Sequence, residues 1–358
     1  MKIVITAGGT GGHIFPALAV INKLKEKEKN IEFLYIGTTD RMEKDIIPKE
    51  GIPYLGISMM GLNRKNFFKN FKVMKAYYKA CNKVKLELLK FKPDVVIGFG
   101  GYITAPVIYT ASKLKIKTII HEQNKVPGVS NKFLSRYVNK VLVSFKESTN
   151  DFPKDKTVYT GNPRSEQIKD VKKIPKEELG FKKDLPLVII VMGSLGSLTI
   201  TEKLKEIIPC FKNKKYQILL ITGSNYYDSY KDIKTPSNVK IIPFTNDLIG
   251  IMKDATLMVT RSGASTIAEI TSIGLPSIMV PSPYVTNNHQ YKNAKALGKG
   301  VEIIEEANFN KDTLIKAIDS IINDKEKLKE MKDKLLENGV KDSASKIYEE
   351  IIKLVKDE

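Results

Sequence analysis

The residues best suited to chemistry in this 358-residue chain fall in short polar clusters behind apolar runs. The first is Gly8-Gly9-Thr10-Gly11-Gly12-His13. Its glycines let backbone N–H groups turn toward a ligand and lead into a helix N-terminus, which suits a phosphate or another anion. His13 closes the loop, and an imidazole with an ordinary pKa of about 6.5 suits proton transfer. A packing or capping histidine fits the same place. A second loop, Gly193-Ser194-Leu195-Gly196-Ser197, repeats this physics with fewer glycines. Ser194 can donate to a phosphate oxygen, and the dipole of the following helix favours negative charge.

His121-Glu122-Gln123-Asn124 ends an apolar run, where charged and amide groups are costly unless solvated or bound. Substrate contact or catalysis is therefore the stronger expectation there. Within 261–269, Ser262-Gly263 opens a helix and puts Glu269 on its second turn. One carboxylate there can accept both hydroxyls of a ribose; a plain helix start with a salt bridge has the same spacing. Asn288-His289-Gln290-Tyr291-Lys292-Asn293-Ala294 follows a proline-rich loop. Its amides fit sugar hydroxyls as well as they fit helix capping.

Other chemistries fit poorly. No Gly-Lys-Ser/Thr follows the first loop, so it is not a P-loop. Ile14 stands where a dinucleotide fingerprint needs a third Gly or Ala, and the second strand runs into Gly37-Thr38-Thr39 without an acid for a ribose. Cys81, Cys210 and three histidines offer neither a disulfide framework nor zinc-ligand spacing, so no metal and no cofactor are expected. The start MKIVITAGGTGG lacks the pattern of a signal peptide. Stretches 95–112 and 270–291 carry no charge, but their glycines and prolines read as strand, turn and helix start, not as spanning helices. A cytoplasmic protein able to touch a membrane is expected.

The elements that must position these clusters follow a βαβ rhythm. Runs at 2–6, 32–36, 95–98, 118–121 and 140–143 read as buried strands, with helices over 16–27 and 42–49. The rhythm restarts with strands at 187–192, 217–222, 239–242, 257–260 and 277–280 and helices at 201–212, 264–273 and 288–297. The polar stretch 163–185 reads as the linker, and 311–358 is helical in pattern. Two parallel-sheet, Rossmann-like domains are expected, with ligands beyond the carboxyl ends of their strands.

Charge adds a partner. The chain has 59 Lys+Arg and 40 Asp+Glu, a net of +19. Residues 1–163 hold 28 basic and 13 acidic side chains; the rest hold 31 and 27. Segment 62–92 alone has ten basic residues, one acid (Glu87) and interleaved aromatics. Phe67, Phe68, Lys69, Phe71, Lys72, Lys75 and Lys79 are expected to face an anionic membrane surface. A nucleic-acid-binding protein would share the charge, but no recognition motif supports it.

Together and in order, GGTGGH at 8–13, GTTDRME at 37–43, GFGGY at 98–102, HEQN at 121–124, TGNPR at 160–164, RSGASTIAE at 261–269 and HQYKNA at 289–294 resemble one family. It is the bacterial undecaprenyldiphospho-muramoylpentapeptide β-N-acetylglucosaminyltransferases, and the match spans essentially the whole chain. The resemblance implies an α/β GT-B fold of two Rossmann-like domains facing a cleft. It implies inverting, metal-independent transfer of N-acetylglucosamine (GlcNAc) from UDP-GlcNAc to the muramoyl 4-hydroxyl of lipid I, giving lipid II at the cytoplasmic membrane face. Domain 1–163 would face lipid I and the membrane, 164–340 would hold UDP-GlcNAc, and helix 341–358 would pack back on the first domain.

By the same resemblance, Thr10, Gly11 and Gly12 would approach phosphates and Asn124 would touch the GlcNAc. Ser194 would hold the diphosphate with Arg164 nearby. Phe244 and Thr245 would meet the uracil through backbone, and Glu269 would bind the ribose. Ala264, Ser265, His289 and Gln290 would contact the donor. His13 is the expected base, with Glu122 as its rival or its orienter. Leu195 replaces a usual glutamine, Arg164 directly follows Pro163, and His289 stands where relatives often carry Gln. A UDP-sugar diacylglycerol glycosyltransferase is the alternative, sharing Glu269 and the basic face.

Overall fold

The computed structural model describes residues 1–59, 69–193 and 197–356, with side chains outside 69–72. It divides into two units, one of Met1–Glu166 with Asp342–Glu358, the other of Gln167–Lys341. The sequence reading put the boundaries three residues and one residue earlier. Glu166 belongs with the first unit because its carboxylate takes Ser345 N at 2.8 Å, Ser345 Oγ at 2.7 Å and Lys23 Nζ at 2.9 Å.

In the first unit the strands are β1 (Lys2–Thr6), β2 (Glu32–Thr38), β3 (Tyr54–Ile57), β4 (Val95–Gly98), β5 (Lys117–Glu122), β6 (Lys140–Val143) and β7 (Thr157–Tyr159). Among the described residues they form a parallel sheet in the order β3-β2-β1-β4-β5-β6-β7. The central strands, KIVIT and VVIG, are apolar almost throughout because helices cover both faces. Those helices are α1 (Gly11–Lys27), α2 (Glu43–Ile46), α3 (Lys69–Phe91), α4 (Thr104–Lys113), α5 (Val129–Leu134) and α6 (Arg164–Gln167), the last running into the second unit.

The second unit has β8 (Leu187–Val191), β9 (Gln217–Ile221), β10 (Val239–Ile242), β11 (Leu257–Thr260), β12 (Ser277–Met279) and β13 (Val301–Ile303). Its parallel order is β10-β9-β8-β11-β12-β13. The helices are α7 (Leu198–Ile207), α8 (Leu248–Met252), α9 (Ala264–Ile273), α10 (His289–Lys295), α11 (Lys311–Ile322) and α12 (Lys325–Asn338). The chain then returns to the first unit as α13 (Ser343–Lys356). There Ile347 and Ile351 bury completely beside Ile3, Ile5 and Val20, each worth roughly 1.5–3 kcal/mol. Lys140 and Glu350, 3.1 Å apart, flank that contact.

Several elements differ from expectation. α1 starts at Gly11, not at 16, because His13 N and Ile14 N already bond to the Thr10 carbonyl; Gly11, Gly12 and His13 are thus its first turn. The 42–49 helix is α2 followed by a 3₁₀ turn at Pro48–Glu50, and 201–212 ends at Ile207 because Pro209 opens another such turn. The 288–297 helix shrinks to α10, since Asn287 and Asn288 sit at φ 56° and 50°. The short strands β3, β7 and β13 were not foreseen.

Candidate active site

The first sheet reverses its strand order between β1 and β4, and ligands of such sheets sit beyond the carboxyl ends at the reversal. The loops after both strands meet there. Gly8 N donates to the Gly100 carbonyl at 3.3 Å. A Cβ on Gly100 would stand 2.8 Å from His13 Cδ2, and one on Gly101 would overlap the Gly8 carbonyl. With φ of 103° and 85°, both positions demand glycine. GFGGY is therefore the wall against which His13 is seated. His13 Nδ1 lies 3.1 Å from the Gly8 carbonyl, which can only accept. The proton is on Nδ1, so Nε2 is the basic nitrogen.

A fully buried carboxylate, Glu43, lies under the same turn. It accepts from Gly9 N at 3.2 Å, Thr38 N at 3.1 Å and Thr38 Oγ1 at 2.7 Å. Burial first, then the Glu43 charge, holds the Tyr35 and Tyr54 hydroxyls protonated well above their ordinary range. With Gly8 N and Gly9 N occupied, the amides of Thr10, Gly11 and Gly12 are the ones at the helix N-terminus without an intrahelical acceptor. Glu43 was not singled out from the sequence; the available signal was an acid five residues past a buried strand.

The HEQN cluster divides in two. His121 is wholly buried, its Nε2 donating to the Gly161 carbonyl at 3.0 Å and its Nδ1 accepting from Gln123 Nε2 at 3.1 Å. Burial lowers its pKa to about 4, against the opposing bond to Gly161, so it is neutral and part of the core. Gln123 Nε2 also donates to the Phe99 carbonyl at 2.7 Å. Glu122 Oε1 accepts from Asn124 N at 3.0 Å, and its Oε2 from Gly128 N and Asn131 Nδ2, both at 2.9 Å. Its carboxylate thus organises the loop that carries half-buried Asn124. Arg164 N donates to Asn162 Oδ1 at 3.1 Å, and its guanidinium lies 5.6 Å over the Phe15 ring.

In the second unit the order reverses between β8 and β11. Directly after β11, Arg261 Nη1 donates to the Val280 carbonyl at 3.0 Å and Nη2 to Ser197 Oγ at 2.8 Å. Nη2 is also 2.6 Å from Glu306 Oε2, with both side chains nearly buried. Arg261 begins the RSGASTIAE motif, but its pairing with Glu306 was not foreseen, because Glu306 is remote in sequence. Ala264 opens α9, whose N-cap is Gly263; the Ser265 hydroxyl is buried without a partner, and Glu269 is buried one turn on. Gln290 Oε1 accepts from Ser282 N at 2.8 Å, so the amide it presents is Nε2, a donor. His289 Nδ1 lies 2.9 Å from the Thr286 carbonyl. Phe244 is exposed, and Thr245 Oγ1 accepts from Asp247 N at 3.0 Å. Ser194 lies outside the described residues, as do Phe67, Phe68 and the side chains of Lys69, Phe71 and Lys72.

Residues 3–143 match the glycosyltransferase family 28 N-terminal domain and residues 187–347 its C-terminal domain. A UDP-N-acetylglucosamine–N-acetylmuramyl-(pentapeptide) pyrophosphoryl-undecaprenol N-acetylglucosamine transferase of Halalkalibacterium halodurans is 45% identical, covering 97% of this chain and 98% of its own. The chain belongs to that transferase family. The enzyme of the same name from Bacillus licheniformis is 44% identical over 97% of both chains. The crystal structure of MurG from Acinetobacter baumannii superposes with a TM-score of 0.79 at 27% identity, covering 98% of this chain and 99% of that one. CalG4, a calicheamicin glycosyltransferase, shares the fold alone, at 12% identity and TM-score 0.73 over 99% of this chain and 98% of its own. This glycosyltransferase therefore has the GT-B fold, with one Rossmann-like sheet in each unit. No helix among its described residues is long and apolar enough to cross a membrane.

Proposed function

We propose that this transferase moves GlcNAc from UDP-GlcNAc to the 4-hydroxyl of the muramoyl-pentapeptide of lipid I, with inversion and without a metal ion, at the cytoplasmic face of the membrane. One observation carries the reading. At the switch point of each sheet a helix begins, α1 or α7, with neither a side-chain cap nor a first-turn acid, and of the two only α1 has a histidine in its first turn. His13 Nε2 takes the proton of the acceptor hydroxyl, a step that contributes about 10²–10⁴-fold. Glu122 is the organiser of the Asn124 loop, not the base, since backbone and amide donors occupy both its oxygens. The amides of Thr10, Gly11 and Gly12 approach phosphate oxygens, and Asn124 the sugar. In the second unit Ser194 and the start of α7 hold the departing diphosphate, and in the first unit Arg164 is a further phosphate contact. Glu269 takes the ribose, the backbone at Phe244 and Thr245 takes the uracil, and Ala264, Ser265, His289 and Gln290 contact the sugar. The deciding assay is UDP release from UDP-GlcNAc in EDTA, with and without a lipid I analogue. Acceptor-dependent turnover is expected; turnover only on diacylglycerol would overturn the acceptor.

The membrane partner has separate support. α3 buries Val73, Ala80, Val84 and Leu88 but exposes Met74, Tyr78, Leu86 and Leu89 beside Lys75 and Lys79. Each basic residue near an anionic surface contributes roughly 1 kcal/mol. Replacing Lys69, Lys72, Lys75 and Lys79 with Glu is expected to abolish sedimentation with anionic vesicles, and unchanged sedimentation would reject this face.

A further inference from the structure

Ser197 has the backbone of an N-cap residue, φ −150° and ψ 117°, yet its side chain makes no capping bond. A serine there normally accepts from an N–H of the first turn, a bond worth about 1 kcal/mol. The chain uses such bonds elsewhere. Asn310 Oδ1 takes Thr313 N at 3.0 Å at the start of α11, and Asp324 Oδ1 takes Lys327 N at 2.9 Å at the start of α12, each with an acid in the first turn. At α7 the hydroxyl instead accepts from Arg261 Nη2 at 2.8 Å, and no acid follows. Arg261 is held for this by two further groups, the Val280 carbonyl at 3.0 Å and Glu306 at 2.6 Å. Lys203 Nζ fixes Glu306 in turn, 2.7 Å from its carbonyl. The guanidinium has little freedom, and among the described residues no side chain caps α7 or places an acid in its first turn to compensate its orphan N–H groups and dipole.

We propose that Arg261, braced by Glu306, is a positioning residue for the nucleotide diphosphate: it withdraws the Ser197 hydroxyl from the helix it would cap and so keeps the α7 N-terminus open to the anion. The inference rests on the donor site proposed above. Its consequence is an unusual rescue. Without Arg261, Ser197 turns back to cap α7 and competes with the diphosphate; without both, the competitor is gone.

The test is calorimetric titration of UDP and of uridine into the full-length protein, with thermal melts alongside. Removing Arg261 alone strands a buried carboxylate, so the variant is Arg261→Gln with Glu306→Gln. It is expected to bind UDP about five- to tenfold more weakly, with uridine unchanged. Adding Ser197→Ala is expected to bring UDP back to within about twofold of Ser197→Ala alone. Undiminished UDP affinity in the paired variant overturns the proposal, and so does a loss that Ser197→Ala leaves in place. If the paired variant does not fold, Arg261→Lys replaces it, with the same expectation, because one ammonium cannot reproduce the guanidinium's fork. Wild-type protein that binds UDP no better than uridine would sink the donor-site reading itself. Wild-type discrimination that every variant retains would sink only the role of Arg261.

Discussion

Beneath the first glycine-rich turn lies a buried carboxylate, Glu43, that takes Gly9 N; beside the second lies a buried guanidinium, Arg261, that takes the Ser197 hydroxyl. Arg261 bridges the β8–β11 reversal, whereas Glu43 ties the segment after β1 to that after β2, and both anchor the entry to a helix without a side-chain cap. They differ in sign. The carboxylate is satisfied by Gly9 N and by Thr38 N and Oγ1, and the guanidinium is paired with Glu306 and leaves its fork on Ser197 Oγ and the Val280 carbonyl. The comparison separates two tasks of a transfer reaction. The acid-backed turn, with His13 seated on Gly100, suits removal of a proton. The turn beside Arg261 and the open helix suits a departing diphosphate.

Three measurements would break or sharpen that division. The largest effect is expected from His13→Ala, which should lower kcat on a lipid I analogue about 10²–10⁴-fold and leave the KM for UDP-GlcNAc within about twofold. A raised KM with unchanged kcat would mean that the first turn binds and does not take the proton. The next tests whether the polar cluster beside that turn is core. His121 has a folded pKa of about 4 against about 6.5 unfolded, so the unfolded chain binds more protons between those values. Its contribution to stability is complete above pH 6.5 and falls as pH drops toward 4, by an amount on the order of 3 kcal/mol. Urea unfolding across pH 4–7 should show that slope in the wild type and a flatter one in His121→Gln; equal slopes would contradict the neutral, buried state. The smallest effect belongs to the second unit. Glu269→Ala should raise the KM for UDP-GlcNAc roughly 10–100-fold, the worth of charged hydrogen bonds to two hydroxyls, with less change in kcat. A dominant loss in kcat would place Glu269 in the chemistry.

Much of the framework was legible in the sequence. The apolar runs within β1, β4, β6, β8 and β11 are unbroken because parallel strands covered on both faces admit few polar residues, and α9 is bracketed by Gly263 and Gly274. The strands that escaped notice, β3, β7 and β13, are three or four residues long, lie at sheet edges and are only partly buried. Local pattern carries little signal in such strands. The first turn of α1 escaped because glycine at 11 and 12 reads as loop, yet the Thr10 carbonyl captures two successive N–H groups.

Residue type and order alone determined two βαβ series, two glycine-rich turns, the carboxylate of Glu269 on a helix and a basic, aromatic segment at 62–92, since each is a property of neighbours along the chain. Only the tertiary structure decided which polar groups are machinery and which are scaffold. Glu43 reaches Gly9 across 34 residues, and Ser197 reaches Arg261 across 64. His121 and Glu122, adjacent in sequence, point into different surroundings because successive residues of a strand face opposite sides of the sheet. Those pairings depend on strand order and crossover, which bring distant segments to one end of each sheet, and no local spacing encodes them.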